Sequence, residues 1–397
     1  LATMMRIWGL ARELISTRVA IIATFFYAIS PLVIVHSHSS WNPNVLPFWS
    51  LLIIYGLLKV VVKHDYKWIC VVGASLGIAL QLHYVALVFI PIVVATLGLI
   101  RWKLPWKYWL GVVGSGIITY SPFILFELRH QFINSLTVWQ FVTRGGDAKT
   151  FGLLYVTNKI WDLVVRLFWR LVVIENAEIS ILFLGLISIT LIWLLFQTEK
   201  NIFYKKALKV LLTWLAIGIG VLAFYTGTIY DYYLMFAFPL PFILLGIVGS
   251  YFLKFPITKW LVILIIVLLA YFELKVTPIS KPPNRLKAQT KEIADFVLEK
   301  AENKPMNFGL IAAGNSDHAY RYFLEIGGNA PVVIEPPDVD PERQSVMQQL
   351  FVVCEEKVCL PLGHSRWEIA GFGRGEIVSE WQVGLFKVFK LIPYSGV

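Results

Sequence analysis

Two long stretches without a single charged side chain constrain the fold more than any other feature of this sequence. Residues 19–58 and residues 68–100 contain no Lys, Arg, Asp or Glu. A helix needs roughly 20 apolar residues to cross the hydrocarbon core of a bilayer, where the backbone must satisfy its own hydrogen bonds. Stretches of this kind therefore predict membrane-spanning helices and exclude an ordinary soluble fold.

Composition and charge point the same way. Of the 397 residues, 57% are hydrophobic and 15% are charged, whereas a typical soluble domain has about 25% charged residues. The net charge of +10 does not indicate nucleic acid, because residues 1–276 hold 22 Lys or Arg against 10 Asp or Glu. Basic loops of a membrane protein face the cytoplasm. We therefore expect membrane lipids, and no nucleic acid, as partners.

Breaks in the apolar stretches predict a polytopic membrane domain over residues 1–276. The segment SHSSWNPNVLP contains Pro43 and Pro47, which separate one helix from the next. The linkers 59–67 and 101–107 are short and basic, so both are expected on the cytoplasmic side. An even number of crossings must then join them, which predicts a hairpin of two short helices.

About nine spans follow from this division, together with the end of an earlier one. The first ten residues, LATMMRIWGL, have the pattern of the last turns of an apolar helix. We therefore expect an N-terminal part of the protein upstream of Leu1. The later spans are predicted at about 108–126, 179–197, 210–226, 233–253 and 258–275.

The long loop at 127–178 contains an amphipathic helix at about 151–173. Lys159, Asp162, Arg166 and Arg170 follow one another at intervals of three or four residues, so they form a single polar stripe. Such a helix suits the membrane interface, with its arginines toward lipid phosphates. A tenth transmembrane span is the alternative.

A Pro-rich linker at 277–284 precedes a change from continuous to periodic apolar residues. Residues 285–397 are therefore predicted to form a small extracytoplasmic α/β domain. We expect a helix at 285–303, a buried strand within MNFGLIAAG, a helix within NSDHAYRYFLEIGG, and further strands at PVVIE, QLFVVCEE and EWQVGLFKVFKLIP. GFGRG is interpreted as a structural turn.

Two cysteines of this domain, Cys354 and Cys359, bracket a short segment on the side of the membrane where disulfides persist. A bridge between them is one prediction, and two free thiols on neighbouring strands is the other.

Polar and aromatic residues at the predicted outer ends of the spans are candidates for a functional site. Asp231 interrupts an otherwise uncharged run, and a carboxylate at that depth is costly enough to suggest function, so it is the tentative catalytic residue. Arg129 and His130 end the span at 108–126, where they suit either a carrier phosphate or interfacial anchoring. The remaining candidates for binding a donor phosphate or sugar are His36, His38, Trp41, Asn42, Asn44, His83, Tyr84, Tyr230 and Tyr233.

Each of these binding candidates has a structural alternative. His36, His38 and Trp41 could cap a helix end, and the tyrosines beside Asp231 could belong to an aromatic belt at the membrane interface. His83 and Tyr84 are expected near the outer tip of the predicted hairpin.

Several segments resemble the polytopic GT-C glycosyltransferases of the family-39-like group, which includes protein O-mannosyltransferases, aminoarabinose transferases and RgtA/B/C/D-like enzymes. The resemblance lies in ARELISTRVAIIATFFYAISPLVIVHSHSSWNPNVLPF at 11–48, GASLGIALQLHYVALVFIPI at 73–92, SPFILFELRH at 121–130 and YDYYLMFAFPLPFILLG at 230–246. It implies a mostly α, GT-C-like membrane domain followed by a small outer α/β domain.

The resemblance also implies an activity. Enzymes of this group transfer a sugar from a polyprenyl-phosphate donor to a glycan, lipid or protein acceptor on the outer face of a cell membrane, here expected to be prokaryotic. The acid that serves this group as base or metal ligand would precede Leu1, and Asn42 and Asn44 stand where many members carry another acid. No cofactor is certain, and a divalent metal stays open. The alternative is a non-enzymatic protein, either a lipid-linked glycan transporter or a degenerate relative.

Overall fold

A computed structural model describes residues 1–98, 105–143, 152–174, 176–197 and 202–396. Part of each basic linker at 101–107 and 200–209, and the first residue of the helix predicted at 151–173, lie outside the described residues. The chain forms two compact units, Leu1–Lys281 and Pro282–Val397. The division falls inside the Pro-rich segment 277–284.

The first unit is entirely helical in its described regular elements. Its helices are α1 (Ala2–Leu14), α2 (Thr17–Ile29), α3 (Pro31–Ser37), α4 (Leu46–Lys63), α5 (Trp68–Leu82), α6 (Phe89–Gly98), α7 (Trp106–Arg129), α8 (Ile133–Thr143), α9 (Leu153–Leu171), α10 (Ala177–Phe196), α11 (Ile202–Ala223), α12 (Pro239–Phe252) and α13 (Pro256–Lys275). Short 3-10 turns occupy Asn42–Val45, Tyr84–Val88, Asp231–Ala237 and Pro278–Ser280.

Within the described residues, five helices are long and apolar enough to cross a membrane, and two bent pairs raise the number to seven. The first pair is α2 with α3, and the second joins the 3-10 turn at 231–237 to α12. Two shorter apolar helices, Trp68–Leu82 and Tyr84–Gly98, occupy the place of the predicted hairpin, and the break between them falls at His83. The chain is thus an integral membrane protein, while the count of nine crossings stays a prediction.

The helix predicted at 151–173 is α9. It is not among the helices apolar enough to span, because its polar stripe persists along its length. Its apolar face, which includes Leu163, Leu167, Phe168 and Leu171, is buried in the core of the membrane unit. Its position relative to a bilayer stays a prediction.

Close backbone contact joins α5 to α7. A Cβ added at Gly77 would lie 2.2 Å from Thr119 Oγ1 and 2.4 Å from the carbonyl oxygen of Gly116. The side chains of this contact are also hydrogen-bonded, since Thr119 Oγ1 donates to the carbonyl of Ala74 at 3.0 Å and Gln81 Nε2 donates to the carbonyl of Thr119 at 2.8 Å. Small residues at helix crossings are the usual means of tight packing in membranes.

The second unit is an α/β domain whose four strands have the order β1-β2-β4-β3. The strands are β1 (Asn307–Ile311), β2 (Leu350–Cys354), β3 (Gly375–Val383) and β4 (Phe386–Pro393), and the helices are α14 (Leu286–Ala301), α15 (His318–Ile326) and α16 (Trp367–Ala370). Strands β1 and β2 are parallel, whereas β4 pairs antiparallel with β2 and β3. This confirms the predicted fold class, mostly α with a small α/β domain after the membrane helices.

Both faces of the sheet are buried at its parallel strands β1 and β2, as the alternation along β2 shows. Phe351 and Val353 pack with α14 and α15, while Leu350, Val352 and Cys354 face the opposite cluster, which contains Ile369. Cys354 and Cys359 form a disulfide in the structure.

Two strand predictions differ from the structure. PVVIE at 331–335 lies outside the sheet, because its backbone groups bond elsewhere: Val332 N donates to the carbonyl of Met306, the carbonyl of Val332 accepts from Asn307 Nδ2, and Glu335 N donates to Ser345 Oγ. EWQVGLFKVFKLIP is not one strand but a hairpin of β3 and β4, which turns at Gly384 with φ of 57°.

Candidate active site

Two broken elements of the membrane unit create the candidate site. Helix α2 ends at Ser30-Pro31 and continues as α3 after a bend of 63°, because Pro31 cannot continue the amide ladder. Ser30 Oγ, which is buried, donates to the carbonyl of Leu171 at the end of α9 at 3.0 Å. The 3-10 turn at 231–237 meets α12 at a bend of 53°, before Pro239.

The two bends face each other through aromatic contacts. The rings of His36 and Phe238 are 5.9 Å apart, and those of Trp41 and Tyr232 are 4.5 Å apart. His83, at the break after α5, joins the same group, since its ring lies 5.3 Å from that of Tyr233. Residues far apart in the sequence thus converge on the segment that carries Asp231.

Asp231 is held between two arginines of α9. Arg166 Nε donates to Oδ1 of Asp231 at 2.9 Å and its second guanidinium nitrogen lies 2.8 Å from the same oxygen. Arg170 Nε donates to Oδ2 at 3.0 Å. The side chains of Arg166, Arg170 and Asp231 are 22%, 33% and 24% exposed. The cluster of one carboxylate and two guanidinium groups carries a net positive charge and is partly exposed at the surface of the unit.

Beside this cluster lies a cavity of about 640 Å³. Its walls come from the start of α1, from α3, from the loop and 3-10 turn before α4, and from Phe238. His36, Trp41, Asn42, Asn44, Ser39 and Trp49 are among the residues that line it. The cavity therefore combines aromatic surfaces with hydroxyl, amide and imidazole groups, which suits a polyhydroxylated ligand.

Several of the predicted site residues lie together, at the cavity or in contact with a residue that lines it. His36, Trp41, Asn42 and Asn44 line the cavity, and Tyr232 links Trp41 to Tyr230 and Tyr233. Asp231 itself does not line the cavity but directly precedes Tyr232, which packs on the cavity residue Trp41.

The other predicted residues lie apart from this group. His38 and Tyr84 are exposed and have no described contact with the cluster. Arg129 is exposed at the end of α7, and the ring of His130 stacks on Phe126 with centroids 4.0 Å apart. No described contact joins this end of α7 to Asp231.

The pairing of Arg166 and Arg170 with Asp231 was not predicted from the sequence pattern. That pattern places the two arginines on a polar stripe facing lipid phosphates, and they lie 65 and 61 residues from Asp231 in the chain. A signal was present, because an isolated carboxylate in an apolar run needs a cation, and two arginines four residues apart form a matching pair.

The residues that the structure describes include no group of three or more His, Cys, Asp or Glu able to hold a metal ion. The donor set of the candidate site is a carboxylate already engaged by arginines, with neutral amides and imidazoles nearby. Those described residues do not fit a divalent metal.

Comparison with known proteins supports the resemblance drawn from the sequence. The family described as dolichyl-phosphate-mannose-protein mannosyltransferase matches residues 1–126, which confirms a likeness to GT-C-type membrane glycosyltransferases in that region. Among solved structures, ArnT from Cupriavidus metallidurans bound to undecaprenyl phosphate is similar, with 14% identity, a TM-score of 0.48, and coverage of 98% of this chain and 82% of that one. No curated protein matches.

Proposed function

We propose that the chain is a membrane glycosyltransferase that moves a sugar from a polyprenyl-phosphate donor to a hydroxyl-bearing glycan, lipid or protein acceptor on the outer face of the membrane. The observation that carries this proposal is the pair Arg166 and Arg170, held by Asp231 next to the aromatic cavity. Support also comes from the family match over residues 1–126.

The reaction breaks the bond between the anomeric carbon of the sugar and the phosphate oxygen, and forms a bond from that carbon to the acceptor oxygen. Negative charge develops on the leaving phosphate. Two guanidinium groups in a fixed, partly dehydrated position stabilise this charge, because they need no reorganisation as it develops. Arginine suits the task, since its planar fork can donate two hydrogen bonds to one phosphate.

The proposed role of Asp231 is to position these arginines. Both of its carboxylate oxygens already accept hydrogen bonds from guanidinium groups, which favours orientation over the direct catalytic role predicted from the sequence. The base that removes the acceptor proton would then lie elsewhere. Leu1, Thr3 and Met4 also line the cavity.

The sugar itself would bind among the aromatic rings. Trp41 and Tyr232 present ring faces and edges beside the amides of Asn42 and Asn44. Aromatic rings pack on the apolar faces of pyranoses, while the amides offer donors and acceptors to hydroxyl groups. These features support a sugar as ligand without selecting which one.

The test is transfer of radiolabelled sugar from purified polyprenyl-phosphate donor by the full-length protein in detergent. Arg166→Gln and Arg170→Gln each remove a charge-assisted hydrogen bond, and each should weaken donor binding by about tenfold to a hundredfold. Arg12→Gln, at an exposed position of α1, is the matched control and should leave transfer unchanged.

Arg129→Gln separates this proposal from the phosphate role predicted for Arg129. Loss of donor binding in Arg129→Gln with none in Arg166→Gln would move the phosphate site to the end of α7. Inactivity of the wild-type protein with every polyprenyl-phosphate donor would instead favour the non-enzymatic alternative.

One observation favours that alternative, a transporter of lipid-linked glycans. Glu273 on α13 is fully buried, and neither carboxylate oxygen has a hydrogen bond among the described residues. An ionisable residue inside a span commonly marks a transport pathway. Glu273→Gln would abolish transport of a labelled lipid-linked glycan in vesicles on this second proposal, and would leave sugar transfer intact on the first.

A further inference from the structure

A second polar cavity, of about 460 Å³, lies at the opposite end of the membrane helices. It is bordered by the turn between α1 and α2, the end of α10, the start of α11 and the end of α12. Helices α2 and α12 lead from it to the candidate active site, where Tyr27 contacts Phe242. Since α12 has 14 residues, the two cavities are separated by about 20 Å.

The charged residues of this cavity are all basic. Arg18, Lys205 and Lys254 line it, and none of the described lining residues is acidic. Within the part of the chain that the structure describes, none of these three cations takes part in an ion pair. The N-terminal end of α2, at Thr17, adds the partial positive charge of a helix start. Three cations that share one cavity without a carboxylate repel each other, and an anion would relieve that repulsion.

Polar and uncharged groups complete the wall. Gln197, Ser16 and Ser250 contribute amide and hydroxyl groups, and Tyr251 is held in place because its hydroxyl accepts a hydrogen bond from Trp193 Nε1 at 2.9 Å. Such groups can bind the ester and glycerol oxygens that surround a phosphodiester.

The same helices also offer apolar surface. Leu194, Ile247 and Val19 line the basic cavity itself. A smaller cavity of about 50 Å³ lies between α2, α10, α12 and α13, and every residue that lines it is apolar. Contact with an apolar wall does not stabilise inorganic phosphate, whereas it stabilises the acyl chain of a lipid.

We propose that the basic cavity formed by Arg18, Lys205 and Lys254 binds the headgroup of an anionic phospholipid, with an acyl chain along the apolar side chains of Val19, Leu194 and Ile247 that line the same cavity. The positive-inside rule places this end of the helices at the cytoplasmic leaflet. Basic pockets between transmembrane helices on that side bind anionic headgroups. The site is independent of the sugar-transfer proposal, because it uses none of the same residues.

The experiment uses the full-length protein in detergent and measures retained lipid by native mass spectrometry. Phosphatidylglycerol and phosphatidylcholine with identical acyl chains are the two probes. The expected result is preferential retention of phosphatidylglycerol. Arg18→Gln combined with Lys254→Gln should weaken phosphatidylglycerol binding by about thirtyfold. This factor is the product of two roughly fivefold losses, one for each basic residue removed near an anionic lipid surface.

Lys67→Gln combined with Lys107→Gln is the matched control, with the same charge change on the same predicted face but outside the cavity. It should bind phosphatidylglycerol as the wild type does. If the double Gln variant is unstable, Arg18→Lys combined with Lys254→Arg keeps both charges and should retain the lipid.

Three outcomes would overturn the proposal. Equal retention of the two lipids would exclude recognition of the anionic headgroup. An equal loss in the Lys67 and Lys107 control would show general surface attraction. Displacement of the lipid by millimolar inorganic phosphate, with a matching rise in thermal stability from phosphate alone, would assign the cavity to a soluble anion.

Discussion

The pairing of Asp231 with Arg166 can be measured as a coupling free energy in a double-mutant cycle. The perturbations are Asp231→Asn, Arg166→Gln and both together; Asp231→Asn removes charge and keeps side-chain shape, and Arg166→Gln removes the guanidinium group. Each partner is about three-quarters buried, with 24% and 22% of the side chain exposed. Exposed pairs contribute about 0.2–1 kcal/mol, and breaking a buried pair costs about 3–5 kcal/mol. A coupling of about 2 kcal/mol is therefore expected.

The assay is unfolding of the full-length protein from mild-detergent micelles by titration with sodium dodecyl sulfate. The control cycle pairs Asp231→Asn with Lys159→Gln. Lys159 lies on the same helix, about 10 Å from Arg166 by helix rise, and donates instead to the hydroxyl of Tyr155 at 3.2 Å and to the carbonyl of Tyr225. Its coupling to Asp231 should be below about 0.5 kcal/mol. Equal couplings in the two cycles would refute the specific pairing of Asp231 with Arg166.

Three further predictions test the packing of the membrane unit and the C-terminal α/β domain. Gly77→Val should destabilise the membrane unit by about 1–3 kcal/mol, whereas Gly114→Val, where an added Cβ meets nothing within 4 Å, should change thermal stability little. Residues 282–397, expressed alone in an oxidising compartment, should fold and resist alkylation at Cys354 and Cys359 until reduced; two alkylated thiols without reductant would rule out the bridge. Hydrogen bonds from Ser345 and Gln344 hold the pKa of Asp340 below its usual range. The stabilising contribution of Asp340 is therefore complete above about pH 4 and is lost as pH falls through the lowered pKa. The free energies of unfolding of the wild type and Asp340→Asn, measured by denaturant titration, should converge at acid pH, and a constant difference between them would contradict this.

The sequence predicts the membrane helices well because their signals are local. Uncharged length and proline breaks are properties of a single segment, and the break at His83 follows from the basic linkers on either side. The hairpin of β3 and β4 is less visible, because its turn depends on a positive φ at Gly384 that the alternating pattern does not report. PVVIE shows the converse, since its strand-like pattern does not reveal that side chains of Asn307 and Ser345 bond its backbone in place of a neighbouring strand.

In the candidate site, the sequence predicts the carboxylate and does not predict its partners. Asp231 is recognisable as a lone charge in an apolar run, but no feature of the neighbouring sequence identifies its partners. Arg166 and Arg170 reach it only because α9 packs beside the bend at Ser30, through the buried hydrogen bond to the carbonyl of Leu171. Partners of this kind depend on tertiary packing, so hydropathy and spacing alone assigned the two arginines to the lipid surface.

The most direct test of the central proposal is a structure of the full-length protein, determined by electron cryomicroscopy, with polyprenyl phosphate bound. We expect phosphate density within hydrogen-bonding distance of Arg166 and Arg170, with the lipid chain passing the ring of Tyr232 and the cavity lined by Trp41 open to an acceptor. Phosphate density at Arg129 and His130, with the Arg166–Asp231–Arg170 cluster unchanged and unoccupied, would contradict it.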